Sequence, residues 1–449
     1  MPRLLFVVSL TLTVATVIAT TDAVAQSQSP QVHSEQPSAP AASSSGSVQK
    51  QEVKSYTLSP EKYEKAVVYS RTQYRLHFLG VAYSLLVLLV ILALRIAPLF
   101  RDWAERLSRR RFIQAIVFVP LLLFAFEALK FPLDAYRHHL AVHYEISVQG
   151  WGSWFWDWTK GKLVQFIVAS ILAYILYGVI RRSPRRWWLY FGLASLPILV
   201  FLNFISPVVI DPLFNKFESL EATQPALVTE IEKVIKHGGL DIPRERMFEM
   251  KASEKVNAID AYVTGFGASK RVVVFDTTIA KMTTPETLFV VGHEMGHYVL
   301  GHIPKGIAFT GASIIVLLFL VYLSISRLLV SKQRRWAMRG LGDWASLPAL
   351  LLLLYLFFFL AEPALNSFSR YQEHQADVYG LEVIHGIVAD SSEAAVAAFQ
   401  TIGEVDLADP QPSAFIKFWL YSHPPLGDRI TFAREYDPWS KGESPMFVR

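Results

Sequence analysis

Cysteine is absent from all 449 residues, so disulfides and thiolate metal sites are excluded. Any zinc must then be held by His, Asp or Glu. Charge of one sign is also scarce: 43 Lys and Arg against 38 Asp and Glu leave a formal net charge of +5. The arginines cluster beside apolar runs instead of forming one basic face, and no nucleic-acid partner is expected. Large apolar residues are missing from residues 26–50, "QSQSPQVHSEQPSAPAASSSGSVQK". Such a stretch cannot bury a core, and 26–55 is expected to be a disordered linker.

Apolar residues dominate the rest. They make up 52% of the chain, and the mean hydropathy is +0.31, which points to lipid as a solvent. Arg3, the apolar stretch Leu4 to Ala19 and the small residues Ala23 to Ala25 predict a signal peptide over 1–25, or else a first anchor helix. Six further runs are long enough to cross a bilayer: 76–94, 112–130, 163–180 and 187–209 within 56–209, then 305–326 and 346–365 within 303–365. "LPALLLLLYLFFFLAEPAL" (Leu347 to Leu365) is apolar on every face, unlike a helix of a soluble core.

Arginines occupy alternate connections, at 95–111, 181–186 and 327–339. If every run spans, these lie together on the cytoplasmic side by the positive-inside rule. The connection 131–162 reads as an aromatic interfacial belt, with "WGSWFWDW" at Trp151 to Trp158. Residues 210–302 and 366–449 then lie on the far side, where a signal peptide also delivers residue 26. The 210–302 segment reads as soluble: a helix in "PALVTEIEKVIKHGG" (Pro225 to Gly239), strands in "DAYVTG" and "RVVVFD", and a helix capped by Thr284 with Pro285 at its first position.

That last helix carries "FVVGHEMGHYVLGH", Phe289 to His302. His293 and His297 are four apart, about 400° on a helix, so both imidazoles leave one face and can share one zinc. Glu294 follows the first histidine and is placed to take a proton from water as general base. This H-E-x-x-H arrangement supports metal-assisted hydrolysis. Burying two imidazoles and a carboxylate without a partner would be expensive, which argues against a chance pattern.

His302 is a tempting third ligand. It lies about 500° past His297, which leaves it about 140° off the metal face, and only Gly301 could supply a break. It is expected at the membrane interface. Glu373, in "NSFSRYQEHQADVYG", is the better candidate, with Asp377 one turn on to support a ligand histidine. His374 should point away.

Four blocks now resemble the type-1 CAAX prenyl proteases, integral-membrane zinc endopeptidases related to bacterial heat-shock membrane zinc proteases. They are "PLFNKF" (Pro212 to Phe217), "AYVTGFGASKRVVVFDTTI" (Ala261 to Ile279), "GHEMGHYVLGH" (Gly292 to His302), and "NSFSRYQEHQAD" with the later "SHPPLGDRI" (Ser422 to Ile430). The resemblance runs from about Tyr63 to Tyr436. It implies a mainly α, polytopic membrane protein: a helical transmembrane barrel enclosing a chamber, capped by a small α+β zinc-protease domain. It implies one Zn2+ per chain on His293, His297 and Glu373, with Glu294 as base. It also implies that His423 and Arg429 face the site, His423 steadying the oxyanion. A strand before the metal helix resembles an edge for an extended substrate. The family has Asn immediately before the Ala-Tyr pair. Here that residue is Asp260, with Asn257 three earlier, so Asn257, Asp260, Ala261 and Tyr262 are the substrate-binding candidates.

The expected function is a membrane zinc endopeptidase acting on membrane-associated or lipidated polypeptides, with or without a prenyl group. A bacterial inner membrane is the expected location, with the zinc domain periplasmic. A membrane quality-control protease and a catalytically silent chamber scaffold are the alternatives, and intact Glu294 argues against the scaffold. A transporter would use Glu127 and Glu362 as ion-pathway residues, but internal pairing is the expectation for both.

Overall fold

The computed structural model describes residues 56–265 and 269–448. The expected signal segment and linker, 1–55, lie outside them. The chain opens with helices α1 (Pro60–Ala93), α2 (Ile96–Leu107), α3 (Arg111–His143), α4 (Trp151–Arg182) and α5 (Trp187–Ile205). An α+β segment follows: β1 (Phe217–Ser219), α6 (Pro225–His237), β2 (Met247–Met250), β3 (Ala261–Thr264), β4 (Arg271–Phe275) and α7 (Thr284–Val299). Then come α8 (His302–Lys332), α9 (Leu347–Ile384), α10 (Ser391–Val405), α11 (Ala414–Leu420) and α12 (Leu426–Glu435).

Six of these helices, α1, α3, α4, α5, α8 and α9, are long and apolar enough to cross a membrane. They coincide with the six expected spans, and all but α5 are longer. An apolar run marks only the stretch in hydrocarbon, whereas backbone hydrogen bonding carries a helix on through its polar ends. The 131–162 connection is therefore mostly helical. Its first part completes α3, and Trp151 to Trp158 form the opening turns of α4. Leu79, Leu86, Phe124, Ile167, Phe201 and Leu360 are exposed around the barrel, a surface that only lipid would cover.

The three arginine-rich connections meet at one end of the bundle. Arg95 Nε donates to the Arg335 carbonyl at 3.0 Å, Arg181 Nη1 to the Gly342 carbonyl at 3.3 Å, and Arg339 Nη1 pairs with Glu105 at 2.7 Å. Arg101, itself buried, pairs with buried Asp343 at 2.7 Å. Phe118, Trp187, Trp344 and Tyr177 are buried in the core at this end. Inside the bundle, Glu127 is paired with Lys162 at 2.8 Å, and Glu362 lies 3.2 Å from His77. Both carboxylates have internal partners.

The opposite end carries the α+β unit. Its sheet has the order β1-β2-β4-β3, with β3 antiparallel to β4 in the register Ala261 opposite Val274. The strand holding Ala261 and Tyr262 is thus an edge strand among the described residues. Helix α6 buries Leu227, Val228, Ile231, Val234 and Ile235 on one face, as its periodicity predicts. Each such fully buried side chain contributes about 1.5–3 kcal/mol. Helix α7 begins one residue earlier than its capping pattern suggested. Thr283, not Thr284, is the N-cap, and it exchanges hydrogen bonds with Glu286 in a capping box.

Candidate metal centre and active site

Two helices build the site by crossing closely. At the crossing, Gly296 on α7 faces the Cα of Ala376 on α9, and a Cβ on Gly296 would lie 3.2 Å from it. A Cβ on Gly380 would lie 3.1 Å from the backbone nitrogen of His293. Small residues at these positions let the backbones approach and lay Glu373 against the two histidines. Helix α9 passes without interruption from the membrane into the α+β unit, so Glu373 rides on the same rigid element as the last span.

His293, His297 and Glu373 are all buried, and one ligand atom from each lies within 4.8 Å of the others. The His293 and His297 Nε2 atoms are 3.2 Å apart. Glu373 Oε2 is 3.3 Å from the first and Oε1 is 3.6 Å from the second. Glu373 is 0% exposed, and its carboxylate oxygens are faced by imidazole nitrogens at 3.3–3.6 Å. A buried carboxylate in that state is costly unless a cation compensates it. Two imidazoles and a carboxylate without thiolates are a donor set that fits zinc.

The surroundings reinforce the demand for positive charge. Burial pushes His293 down, but Asp377 and Glu373 override it and raise its pKa to about 9. Asp377 Oδ1 lies 2.9 Å from His293 Nδ1. Glu294 is buried beside the cluster, its Oε1 4.0 Å from His293 Nε2. His423 enters from the segment before α12, with Nε2 3.6 Å from Glu373 Oε2 and Nδ1 2.9 Å from the Ser422 hydroxyl. Burial, abetted by Arg429, pushes the His423 pKa down to about 4 against the opposing pull of Glu373.

The other candidates fall out differently. Arg429 directs its guanidinium at Asp377, not at the three ligand atoms. Asn257 uses its side-chain amide on the Glu145 carbonyl at 2.9 Å, which ties the approach to β3 to the end of α3. Asp260 holds the start of β3, its backbone N–H donating to Thr278 Oγ1 at 2.8 Å. Ala261 and Tyr262 are buried in the edge strand. His374 turns its ring to Phe432, away from the cluster, with centroids 4.5 Å apart.

His302 corrects an expectation. It heads α8, a membrane-length helix, yet is fully buried within the protein, 0% exposed, with Nδ1 3.0 Å from His297 Nδ1. Gly301 takes the left-handed conformation, φ 67°, and ends one helix where the next begins. The break re-aims His302 behind His297. Two residues that motif reading passed over also matter. Asn366 Nδ2 donates to the Trp419 carbonyl at 2.6 Å, and Arg370 Nη1 to the Lys417 carbonyl at 3.2 Å. One turn apart on α9, they bind the segment leading to His423 onto the helix that holds Glu373. Their four-residue spacing was visible, but their partners were not.

A sequence profile described as peptidase family M48 matches residues 221–437, and one described as CAAX prenyl protease N-terminal, five membrane helices, matches residues 47–216. This chain belongs to peptidase family M48. The peptidase is 34% identical over 380 residues to the uncharacterized metalloprotease YhfN of Bacillus subtilis (strain 168), covering 84% of this chain and 87% of that one. It is 25% identical over 397 residues to a CAAX prenyl protease 1 homolog of Oryza sativa subsp. japonica, covering 85% and 89% of the two chains. The crystal structure of S. mikatae Ste24p superposes with a TM-score of 0.72 at 23% identity, over 86% of this chain and 91% of that one. The fold is a helical membrane barrel enclosing a chamber, capped by a protease unit. The chain is an integral-membrane metallopeptidase.

Proposed function

We propose that this peptidase is a zinc-dependent endopeptidase that cleaves extended segments of membrane-associated or lipidated polypeptides. The observation that carries the reading is the convergence of the wholly buried Glu373 carboxylate with the imidazole nitrogens of His293 and His297. His293, His297 and Glu373 would hold the ion, and a zinc there would supply Lewis acidity and make water more acidic.

The chain's own groups do the rest. Glu294 takes the proton from the attacking water and returns it to the leaving amine. His423 has Nδ1 2.9 Å from the Ser422 hydroxyl and Nε2 turned toward the cluster; the tautomer that serves the reaction accepts from Ser422 at Nδ1 and carries its proton on Nε2. In that form the neutral ring donates from Nε2 to the oxyanion. The outer edge of β3, which pairs with β4 alone among the described strands, takes the substrate backbone as an added strand beside α7. Asp260, Ala261 and Tyr262 contact the substrate at the start of that strand, and Asn257 acts further back through the loop it ties down.

The unit carrying the site is assigned to the periplasmic face of a bacterial inner membrane. The clustering of arginines at the opposite end of the barrel supports that assignment. The Oryza sativa relative is named a CAAX prenyl protease 1 homolog, which makes a prenylated substrate one arm of the test.

The experiment is cleavage of a peptide panel, with and without a prenyl group, by purified full-length protein. Internal cleavage should be abolished by chelation and restored by zinc. Glu294→Gln should keep its zinc and lose turnover by at least about a hundredfold. Near-normal cleavage by that variant would overturn the mechanism. A scaffold would show no cleavage in any arm.

A further inference from the structure

We infer that His302 is a positioning residue for His297, fixing its tautomer and ring angle through a relay that ends on Gln375. The inference rests on the reading of His297 as a metal ligand through Nε2.

His297 presents two nitrogens to two different places. Nε2 faces the cluster, 3.2 Å from His293 Nε2. Nδ1 faces His302 Nδ1 at 3.0 Å. A metal takes the lone pair at Nε2, so the neutral ring of His297 must carry its proton on Nδ1. Two nitrogens in hydrogen-bond contact need one donor and one acceptor. His297 Nδ1 is therefore the donor and His302 Nδ1 the acceptor, which puts the His302 proton on Nε2. That atom lies 3.3 Å from Gln375 Oε1, a pure acceptor. The Gln375 amide then donates to the Tyr371 hydroxyl at 3.3 Å. Every donor in the chain meets an acceptor, in one direction, outward from the metal.

The reverse direction is incompatible with the site. If His302 Nδ1 donated, His297 Nδ1 would have to accept, and its proton would move to Nε2, where the ion binds. The relay thus selects the metal-competent tautomer. The structure holds His302 firmly enough to do so. Its side chain is wholly buried, its backbone carbonyl accepts from Gln372 Nε2 at 3.3 Å, and the left-handed Gly301 sets its approach. The two rings meet edge-on, at 73° with centroids 4.9 Å apart, so His297 cannot rotate without breaking the bond. The two ligand histidines therefore have different supports: Asp377 behind His293 and neutral His302 behind His297.

Two near-isosteric variants separate this role from simple packing. In His302→Asn the side-chain oxygen reaches the place of Nδ1 and can still accept from His297. In His302→Gln the amide reaches the place of Nε2, meets Gln375 and leaves His297 without its acceptor. Gln is closer to His in volume, so packing alone favours Gln. The readout is zinc retention by the full-length protein against graded chelator, with thermal unfolding of the metal-stripped forms alongside. His302→Gln should bind zinc about 10–100-fold more weakly than wild type, and His302→Asn should recover most of that loss. Equal affinities for the two variants, or tighter binding by Gln, would overturn the relay. So would metal-stripped forms whose stabilities fall in the same order as their affinities. Should His302→Gln fail to fold, Gln375→Leu removes the outer acceptor at a half-buried position. Weakened zinc binding there supports the relay, and unchanged binding overturns it. A wild type that holds no zinc overturns the zinc reading itself, a result distinct from any difference among variants.

Discussion

Arg429 grips both oxygens of Asp377, Nε to Oδ2 at 2.9 Å and Nη2 to Oδ1 at 2.5 Å. Asp377 in turn sits 2.9 Å from His293 Nδ1. The "HPPLGDR" segment is therefore linked to a candidate ligand through one buried carboxylate, with the guanidinium stacked 4.2 Å over Phe399. We predict that Arg429→Met, by removing the guanidinium partner of buried Asp377 and leaving it only His293, costs about 3–5 kcal/mol of stability and weakens zinc binding. Arg429→Lys should recover only part, because an ammonium lacks the planar fork. Thermal unfolding and chelator competition check this. A Met variant matching wild type in both would contradict it.

The ligand assignment makes a graded prediction. Glu373→Ala should lose zinc and activity together, since it removes one of three ligands. Asp377→Ala should keep the three ligands and weaken zinc binding about 10–100-fold. Metal content of the purified variants distinguishes them, and full zinc occupancy in Glu373→Ala would refute the assignment.

Asp406 predicts a pH dependence away from the metal. Burial pushes its carboxyl up to about 8, Asp260 adds to the rise, and Lys281 opposes it. Its Oδ1 has no hydrogen-bond partner among the described residues. The folded protein keeps this proton up to about pH 8, whereas the unfolded chain releases it near the ordinary value of 3.8. Folding thus binds a proton between those limits, and stability from this group falls as pH rises through the window. Asp406→Asn has no charge to bury. Its melting temperature should exceed that of wild type most at about pH 9 and converge with it near pH 4. A difference that does not vary with pH would show that ionisation of Asp406 is not the cause.

Topology can be tested directly. A reporter fused after Lys332 should be active only if it needs the cytoplasm. One inserted at exposed Gly239 should be active only if it needs export. The reverse pattern would place the site in the cytoplasm and reopen processing of cytosolic prenylated proteins as the function.

Much of this protein was legible in its residues because the relevant rules are local. A bilayer demands about 20 apolar helical residues, and six runs supply them. The helical period alone carries His293 and His297 to one face. The α6 core positions and the β3 and β4 strands likewise follow from short-range pattern.

What the chain does at longer range was decided only by the tertiary structure. Glu373 reaches the histidines because Gly296, Ala376 and Gly380 allow two backbones to touch, and no single helix's pattern reports its neighbour. His302 was misplaced because periodicity assumes one continuous axis. Gly301, at φ 67°, starts a new one and turns a residue about 140° off the face into the support of a ligand. Arg429 and Asp377 lie on separate helices, and their pairing depends on how those helices pack. Local geometry is written into residue spacing; the meeting of distant segments depends on shape and close packing, which spacing does not encode.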